Sequence, residues 1–252
     1  MKRWWSLLIA PLLLIALGCV ERYEARMNAT LEKLRYLKKL DDNLMPPSAD
    51  GPFKELAIYV RPPKPLEPAG AKFFSTLFPT VQDGQFDVTA VYQDTTPEKG
   101  VAKSARMFVL GRKKQSRAPA SKKEAPAPAA NRGPFDDDVL ALLQATYAQS
   151  AESIRKDQLK SSNYRKNAYK RLVFKTPRGS DMEVFFYKQD PYDVALLFEK
   201  PPGVGSTATN LSLESFAVGA KALRNFERGF SDEEGFDSGG GAGGAAGTPT
   251  PF

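Results

Sequence analysis

Three strand patterns that follow one another at short spacing constrain the fold most. Runs rich in β-branched, aromatic and other apolar residues lie at 169–174, 182–187 and 194–198, with only short turns between them. Consecutive strands joined by such short turns pair with their neighbours in antiparallel order. The second half of the chain therefore predicts an antiparallel meander.

The rest of the chain adds further strands and several helices to this meander. One helix starts near Asp136, where three adjacent acids favour a helix N-terminus, and continues through Tyr147 toward Lys160. Together these patterns predict an α+β domain over residues 52–229, with an antiparallel sheet of about six strands and helices packed on one face. The other predicted elements are strands at 56–60, 86–92 and 105–110, and helical segments at 72–78 and 211–226.

A basic segment, residues 111–133, interrupts this domain. It is rich in Ala, Pro and Lys and holds seven basic residues and one acid, a net charge of +6 against +7 for the whole chain. Two interpretations stay open: a solvated linker, or an electrostatic contact to anionic envelope polymer. The candidate contacts are Arg112, Lys113, Lys114, Arg117, Lys122 and Lys123. Because the segment contains no aromatic residue, we expect no nucleic-acid binding.

The amino terminus has the pattern of a secretory signal. Lys2 and Arg3 precede seventeen uncharged residues, and the only cysteine, Cys19, lies where the apolar stretch ends. A retained membrane helix is the alternative, but seventeen helical residues span roughly 25 Å, short of a hydrocarbon core of about 30 Å. The pattern therefore favours a cleaved signal peptide over residues 1–18.

The residues around this cysteine, Ile15-Ala16-Leu17-Gly18-Cys19, resemble the lipobox of bacterial lipoproteins. Ala16 stands where that family most often has Leu, and Gly18 is the small residue expected before the cysteine. The resemblance covers only this segment. It implies cleavage before Cys19, diacylglycerol on its sulfur and acylation of the new amino terminus. Two or three acyl chains anchor a protein stably to a bilayer.

The resemblance also implies a location. The mature chain would be anchored in the cell envelope and face the periplasm or the exterior. In enteric bacteria an Asp after the lipidated cysteine retains a lipoprotein in the inner membrane, and this chain has Val20 there. That favours an outer membrane.

A predicted helical stalk, residues 19–45, follows the anchor. Apolar residues recur at steps of three and four from Tyr23 to Leu44, and Pro46-Pro47 ends the pattern. The stripe can pack on the protein's own body or pair with another chain as a short coiled coil. At the other end of the chain, residues 230–252 are acidic and then Gly-rich, a composition typical of disorder.

The composition excludes several kinds of active site. The chain has no histidine and one cysteine, so it lacks a Ser-His-Asp or Cys-His system and a thiolate zinc site. The three acids at 136–138 have no accompanying metal-ligand spacing. We therefore expect no catalytic residue, no metal and no cofactor.

These observations predict a membrane-anchored lipoprotein that is a non-enzymatic structural or protein-interaction module. Its partners would be the bilayer, through acylated Cys19, and an envelope protein. Two alternatives remain open, an exported carboxylate-dependent hydrolase, which needs no histidine, and a small-ligand-binding lipoprotein.

Overall fold

A computed structural model of the 252-residue chain describes residues 5–48, 51–82, 84–94, 105–114, 133–148, 153–160 and 167–228. In the first helix it describes the side chains from Tyr23 onward. The predicted tail at 230–252 and most of the predicted linker lie outside these residues.

The described chain contains six helices and nine strands. The helices are α1 (Trp5–Asn43), α2 (Pro52–Glu55), α3 (Ala71–Leu77), α4 (Phe135–Tyr147), α5 (Thr207–Ser215) and α6 (Ala220–Arg228). The strands are β1 (Ile58–Tyr59), β2 (Glu67–Ala69), β3 (Val88–Gln93), β4 (Arg106–Lys113), β5 (Arg155–Leu159), β6 (Tyr169–Lys175), β7 (Asp181–Gln189), β8 (Tyr192–Lys200) and β9 (Ala217–Val218).

Seven of the strands form one antiparallel sheet in the order β2-β3-β4-β8-β7-β6-β5. The α+β class and the antiparallel sheet are confirmed, and β6, β7 and β8 form the predicted meander. β4 pairs with β8 along its whole length, from Arg106↔Glu199 to Lys113↔Tyr192. This pairing joins the half of the chain before the basic segment to the half after it. β1 and β9 form a separate two-stranded sheet.

Helices pack on both faces of the sheet, where the sequence led us to expect one. One face contacts α2, the β1–β9 pair and α5 through residues such as Ile58, Leu213 and Phe216. The other face contacts α3 and α4 through Phe78 and Leu143. All nine residues of β8 are buried, because a central strand with both faces covered has no side open to water.

Residues 155–159 correct one prediction, since they form β5 and do not continue α4. The helix ends at Tyr147, and Ala148 takes the left-handed conformation (φ 50°) that often terminates helices. β5 is an edge strand that pairs with β6 alone. Four of its five residues are polar, so it lacks the apolar pattern by which the other strands were found.

Two other boundaries also differ from the predictions. β4 extends to Lys113, so the first three residues of the predicted linker belong to the sheet. The predicted helix at 211–226 is divided into α5, β9 and α6. Gly219 has φ 65° between β9 and α6, a conformation that glycine adopts without strain.

The predicted N-terminal helix is confirmed as α1, which is continuous over 39 residues. Its carboxyl end packs on the body of the protein, where Leu40, Leu44 and Leu211 form a small buried cluster. From Tyr23 to Arg35 the helix is largely exposed.

Candidate functional site

Arg112, one of the predicted polymer contacts, is buried in the fold. Its guanidinium donates hydrogen bonds to the carbonyl oxygens of Gln85 (2.9 Å) and Gly133 (2.9 Å) and forms an ion pair with Asp138. It also lies 5.8 Å and 5.4 Å from the ring centroids of Phe86 and Phe135. This corrects the prediction for Arg112, whose donors are engaged inside the protein.

The other predicted basic contacts are divided between the surface and the undescribed segment. Lys113 is exposed at the end of β4, and its Nζ lies 5.5 Å from the ring centroid of Tyr192. Lys114 is exposed, with Nζ at 3.6 Å from Asp193 and 3.8 Å from Asp190. Arg117, Lys122 and Lys123 lie outside the described residues.

The helical stalk is fixed to the body at one end. Leu40 and Leu44 are almost fully buried, and Arg61 reinforces this contact with hydrogen bonds to Asp41 (2.8 Å) and to the Met45 carbonyl oxygen (2.9 Å). Tyr36 donates a hydrogen bond to Glu214 at 3.4 Å. Burial and the charge of Glu214 raise the pKa of the Tyr36 hydroxyl, so it remains a donor. Helix α1 is thereby fixed to α5 over its last turns.

The amino-terminal part of the same apolar stripe is open to solvent. Tyr23 is 68% exposed and Leu34 is 56% exposed, with Met27 and Leu31 between them also exposed. Of the two interpretations of the stripe, packing on the body holds for residues 36–44, and residues 23–34 keep an apolar face in water. Cys19 lies on the helical backbone four residues before this stretch.

A cavity of about 320 Å³ opens where β5, β6 and β7 meet the start of α4, and we call it the lysine pocket. Its charged lining residues are Lys160, Lys170, Lys188 and Asp136, and the uncharged residues of the lining include Gln158 and Phe186. The Nζ atoms of Lys170 and Lys188 lie 2.8 Å and 3.0 Å from the two carboxylate oxygens of Asp136. One carboxylate therefore bridges two ammonium groups.

The strand register brings these lysines together. Gln158, Lys170 and Phe186 are directly opposite one another on β5, β6 and β7. Lys188 lies two residues beyond Phe186, and therefore on the same face of the sheet, because side chains alternate along a strand. Helix α4 begins above this face and brings Asp136 to the lysines.

The electrostatics of the lysine pocket keep Asp136 ionised. Burial alone would raise the pKa of its carboxyl group, but the ammonium groups of Lys170 and Lys188 outweigh this effect and the pKa is lowered. The first turn of α4 also favours a negative charge. At neutral pH the pocket thus contains one carboxylate and three lysines.

The neighbouring acids of α4 have other contacts. Asp138 pairs with Arg112, and Asp136 pairs with the two lysines, so the acids at 136 and 138 join the helix to basic residues of the sheet. Within the described ranges, no group of three or more Cys, Asp or Glu side chains is arranged to hold a metal ion.

Buried carboxylates elsewhere in the sheet are also paired with cations. Glu183 lies 2.7 Å from Arg171 and 3.0 Å from Lys200. Glu199 lies 3.4 Å from Arg106 and accepts a 3.5 Å hydrogen bond from the Tyr147 hydroxyl. These contacts neutralise the carboxylates within the fold, which is the arrangement expected of structural ion pairs.

The lysine pocket was missed by sequence analysis. Lys170 and Lys188 are on different strands, and Asp136 is more than thirty residues before either of them. The only signal was the row of acids at 136–138, which is equally typical of an ordinary helix start. The register of three strands was needed to find the cluster.

No family model matches the chain, and no curated protein matches it significantly. In the part of the chain searched for membrane spans, no helix is both long and apolar enough to cross a bilayer. The side chains of residues 5–22 are not described.

Proposed function

We propose that the protein is a lipid-anchored protein of the bacterial cell envelope and that its body is a non-enzymatic structural or protein-interaction module. The anchor is diacylglycerol on Cys19, and the body faces the periplasm or the exterior. An outer membrane is favoured, because Val20 follows the cysteine where Asp would favour retention in the inner membrane.

The observation that carries the proposal is the way α1 joins the anchor to the body. The helix passes through Cys19 without a break, and among the side chains described from Tyr23 onward it is those near the carboxyl end that contact α5. A helix rises about 1.5 Å per residue, so the segment from Cys19 to Leu40 spans about 30 Å. This geometry suits a rigid spacer that holds a folded body away from a membrane surface.

The exposed apolar stripe of α1 supports the interaction part of the proposal. Tyr23, Met27, Leu31 and Leu34 lie on the segment between the anchor and the body. Large exposed apolar side chains on one helix are typical of surfaces that contact another protein or a membrane. They would be available near the membrane if Cys19 is acylated.

The paired carboxylates support a non-enzymatic body. A carboxylate-dependent hydrolase needs one acid to give or take a proton near neutral pH. The acidic groups of Asp136, Glu183 and Glu199 are instead held beside Lys or Arg. Carboxylates paired in this way are typical of structural ion pairs.

Metabolic labelling with a tagged fatty acid tests the anchor. We expect label in the wild-type protein and in Ser6→Ala, a matched control in the leader, and no label in Cys19→Ser. Wild-type protein without label, or label that persists in Cys19→Ser, would contradict the anchor. A hydrolytic activity of the purified protein that one Asp or Glu substitution abolishes would contradict the non-enzymatic part.

A further inference from the structure

The charge of the lysine pocket is unbalanced. Its lining contains three lysines and one aspartate, and the other lining residues are uncharged. Lys170 and Lys188 share the single carboxylate of Asp136, so positive charge exceeds negative charge in this group. A concave site with an excess of one sign of charge attracts ligands of the opposite sign.

The two central lysines are held in position before any ligand arrives. Asp136 contacts both Lys170 and Lys188, and the Lys170 ammonium also lies 5.6 Å from the centroid of the Phe186 ring. An ammonium group has three N–H donors, so a single contact with Asp136 leaves donors on each lysine for another acceptor. Fixing the side chains in advance lowers the entropy lost when a ligand binds.

We propose that the lysine pocket binds the phosphate group of a small phosphate monoester or of a lipid headgroup. A phosphate monoester carries a charge of roughly −1.5 to −2 at neutral pH, which is opposite in sign to the excess at Lys170 and Lys188. Its three terminal oxygens can accept hydrogen bonds from several ammonium groups at once.

The walls of the pocket fit the uncharged part of such a ligand. The Phe186 ring forms part of the lining between Lys170 and Lys188 and is the aromatic surface on the pocket's face of the sheet. A volume of about 320 Å³ is near the lower end of small-molecule sites. The pocket thus accommodates a phosphate with a short carbon chain and is too small for a folded partner.

Titration of the full-length chain with glycerol 1-phosphate tests the proposal. The chain is reconstituted in nanodiscs of phosphatidylcholine, and binding is followed by calorimetry. We expect saturable binding in the wild type and binding about tenfold weaker in Lys188→Gln and Lys170→Gln, as for loss of one charge-assisted hydrogen bond.

Lys175→Gln is the matched control. Lys175 is on β6 like Lys170, its side chain is 76% exposed, and it pairs with Asp181 away from the pocket. Binding should be unchanged in this variant. Absence of saturable binding, wild-type affinity in both pocket variants, or an equal loss in Lys175→Gln would overturn the proposal. Circular dichroism of each variant verifies that it is folded.

Nanodiscs that contain phosphatidic acid, a phosphate monoester, are compared with nanodiscs that contain phosphatidylglycerol, a diester, at matched surface charge. If a headgroup occupies the pocket, phosphatidic acid weakens the binding of glycerol 1-phosphate by the wild type more than phosphatidylglycerol does. If the ligand is a soluble phosphate, affinity is the same in both kinds of nanodisc. The pocket belongs to the body and its test does not use acylation, so failure here is distinguishable from failure of the anchor.

Discussion

Two groups of charged side chains on the same sheet differ in how far water reaches them. In the first, which we call the buried cluster (Asp157, Arg171, Glu183 and Lys200), Glu183 is 7% and Lys200 8% exposed, while the side chains of Arg171 and Asp157 at its edge are 25% and 39% exposed. In the lysine pocket, the side chains of Lys170 and Lys188 are 47% and 53% exposed. Glu183 and Lys188 are an odd number of residues apart on β7, so the two groups lie on opposite faces.

The two groups also differ in charge balance. The buried cluster contains two cations and two carboxylates, with Arg171 bridging Asp157 and Glu183 and Lys200 contacting Glu183. The lysine pocket contains three cations and one carboxylate. Burying an unpaired charge costs several kcal/mol, whereas water solvates an excess at an open site. In this sheet the excess of positive charge lies at a site open to water, and the balanced set surrounds the buried carboxylate of Glu183.

The largest expected effect is that of Glu183→Ala, which leaves Arg171 and Lys200 without their shared carboxylate. We expect the free energy of unfolding to fall by about 3 kcal/mol, because breaking a buried pair leaves unpaired charge. Urea unfolding measures it. Asp181→Asn on the same strand is the control, since its pair with Lys175 is exposed, and should change stability by less than about 0.5 kcal/mol. Equal effects of the two substitutions would show that the buried cluster stabilises the fold no more than an exposed ion pair does.

The second prediction concerns Arg112→Lys, which keeps the charge but loses the guanidinium fork. Lysine cannot reach the Gln85 and Gly133 carbonyl oxygens and Asp138 together, so stability should fall by about 1.5–3 kcal/mol. Thermal or urea unfolding measures the loss. The neighbouring Lys113 is exposed. The control Lys113→Gln should therefore lower the unfolding free energy by less than about 0.5 kcal/mol. An unchanged midpoint in Arg112→Lys would show that its contacts do not contribute to stability.

A third, smaller effect is the acid dependence that Asp136 contributes. Its folded-state pKa is lowered from 3.8 by Lys170 and Lys188, so the contribution is fully present above that pH and is lost as the pH falls through the folded-state pKa. We expect the free energy of unfolding to decrease less steeply with falling pH in Asp136→Asn than in the wild type, as measured by urea unfolding at pH values around and below 3.8. Identical pH profiles would show that the lysine contacts do not stabilise the carboxylate.

The smallest expected effect is that of Lys188→Gln on stability. The side chain is half exposed, and Asp136 keeps its contact with Lys170, so the unfolding free energy should change by less than about 0.5 kcal/mol. Urea unfolding beside Glu183→Ala gives the direct comparison. A loss as large as that of Glu183→Ala would mean that the lysine pocket is structural in the same way as the buried cluster.

Sequence patterns predicted best where burial imposes them. β7 and β8 were found because both faces of these strands are packed over most of their length, and apolar residues must then recur along them. β6 was found from its buried residues Tyr169, Leu172 and Phe174, which alternate with more exposed ones. β5 was missed because an edge strand with polar side chains has no such requirement. Arg112 was assigned to a linker because it begins a run of basic residues, although it is the last buried residue of β4.

The stalk shows the same limit within one helix. Leu34 and Leu40 belong to one apolar stripe, and periodicity predicted the helix correctly. The periodicity did not predict which of the two leucines is buried, yet Leu40 is fully buried and Leu34 is 56% exposed. Only the position of α5 beside the last turns of α1 separates the two.

By itself, the sequence determined the α+β class, the antiparallel meander and the helix that follows Cys19, because local periodicity and turn spacing depend on neighbouring residues. The tertiary structure decided which charges are balanced and which are in excess. Asp136, Lys170 and Lys188 are distant in the chain, and their meeting depends on strand register and on where α4 packs. Those features arise from the burial of the whole core, and no short stretch of sequence contains them.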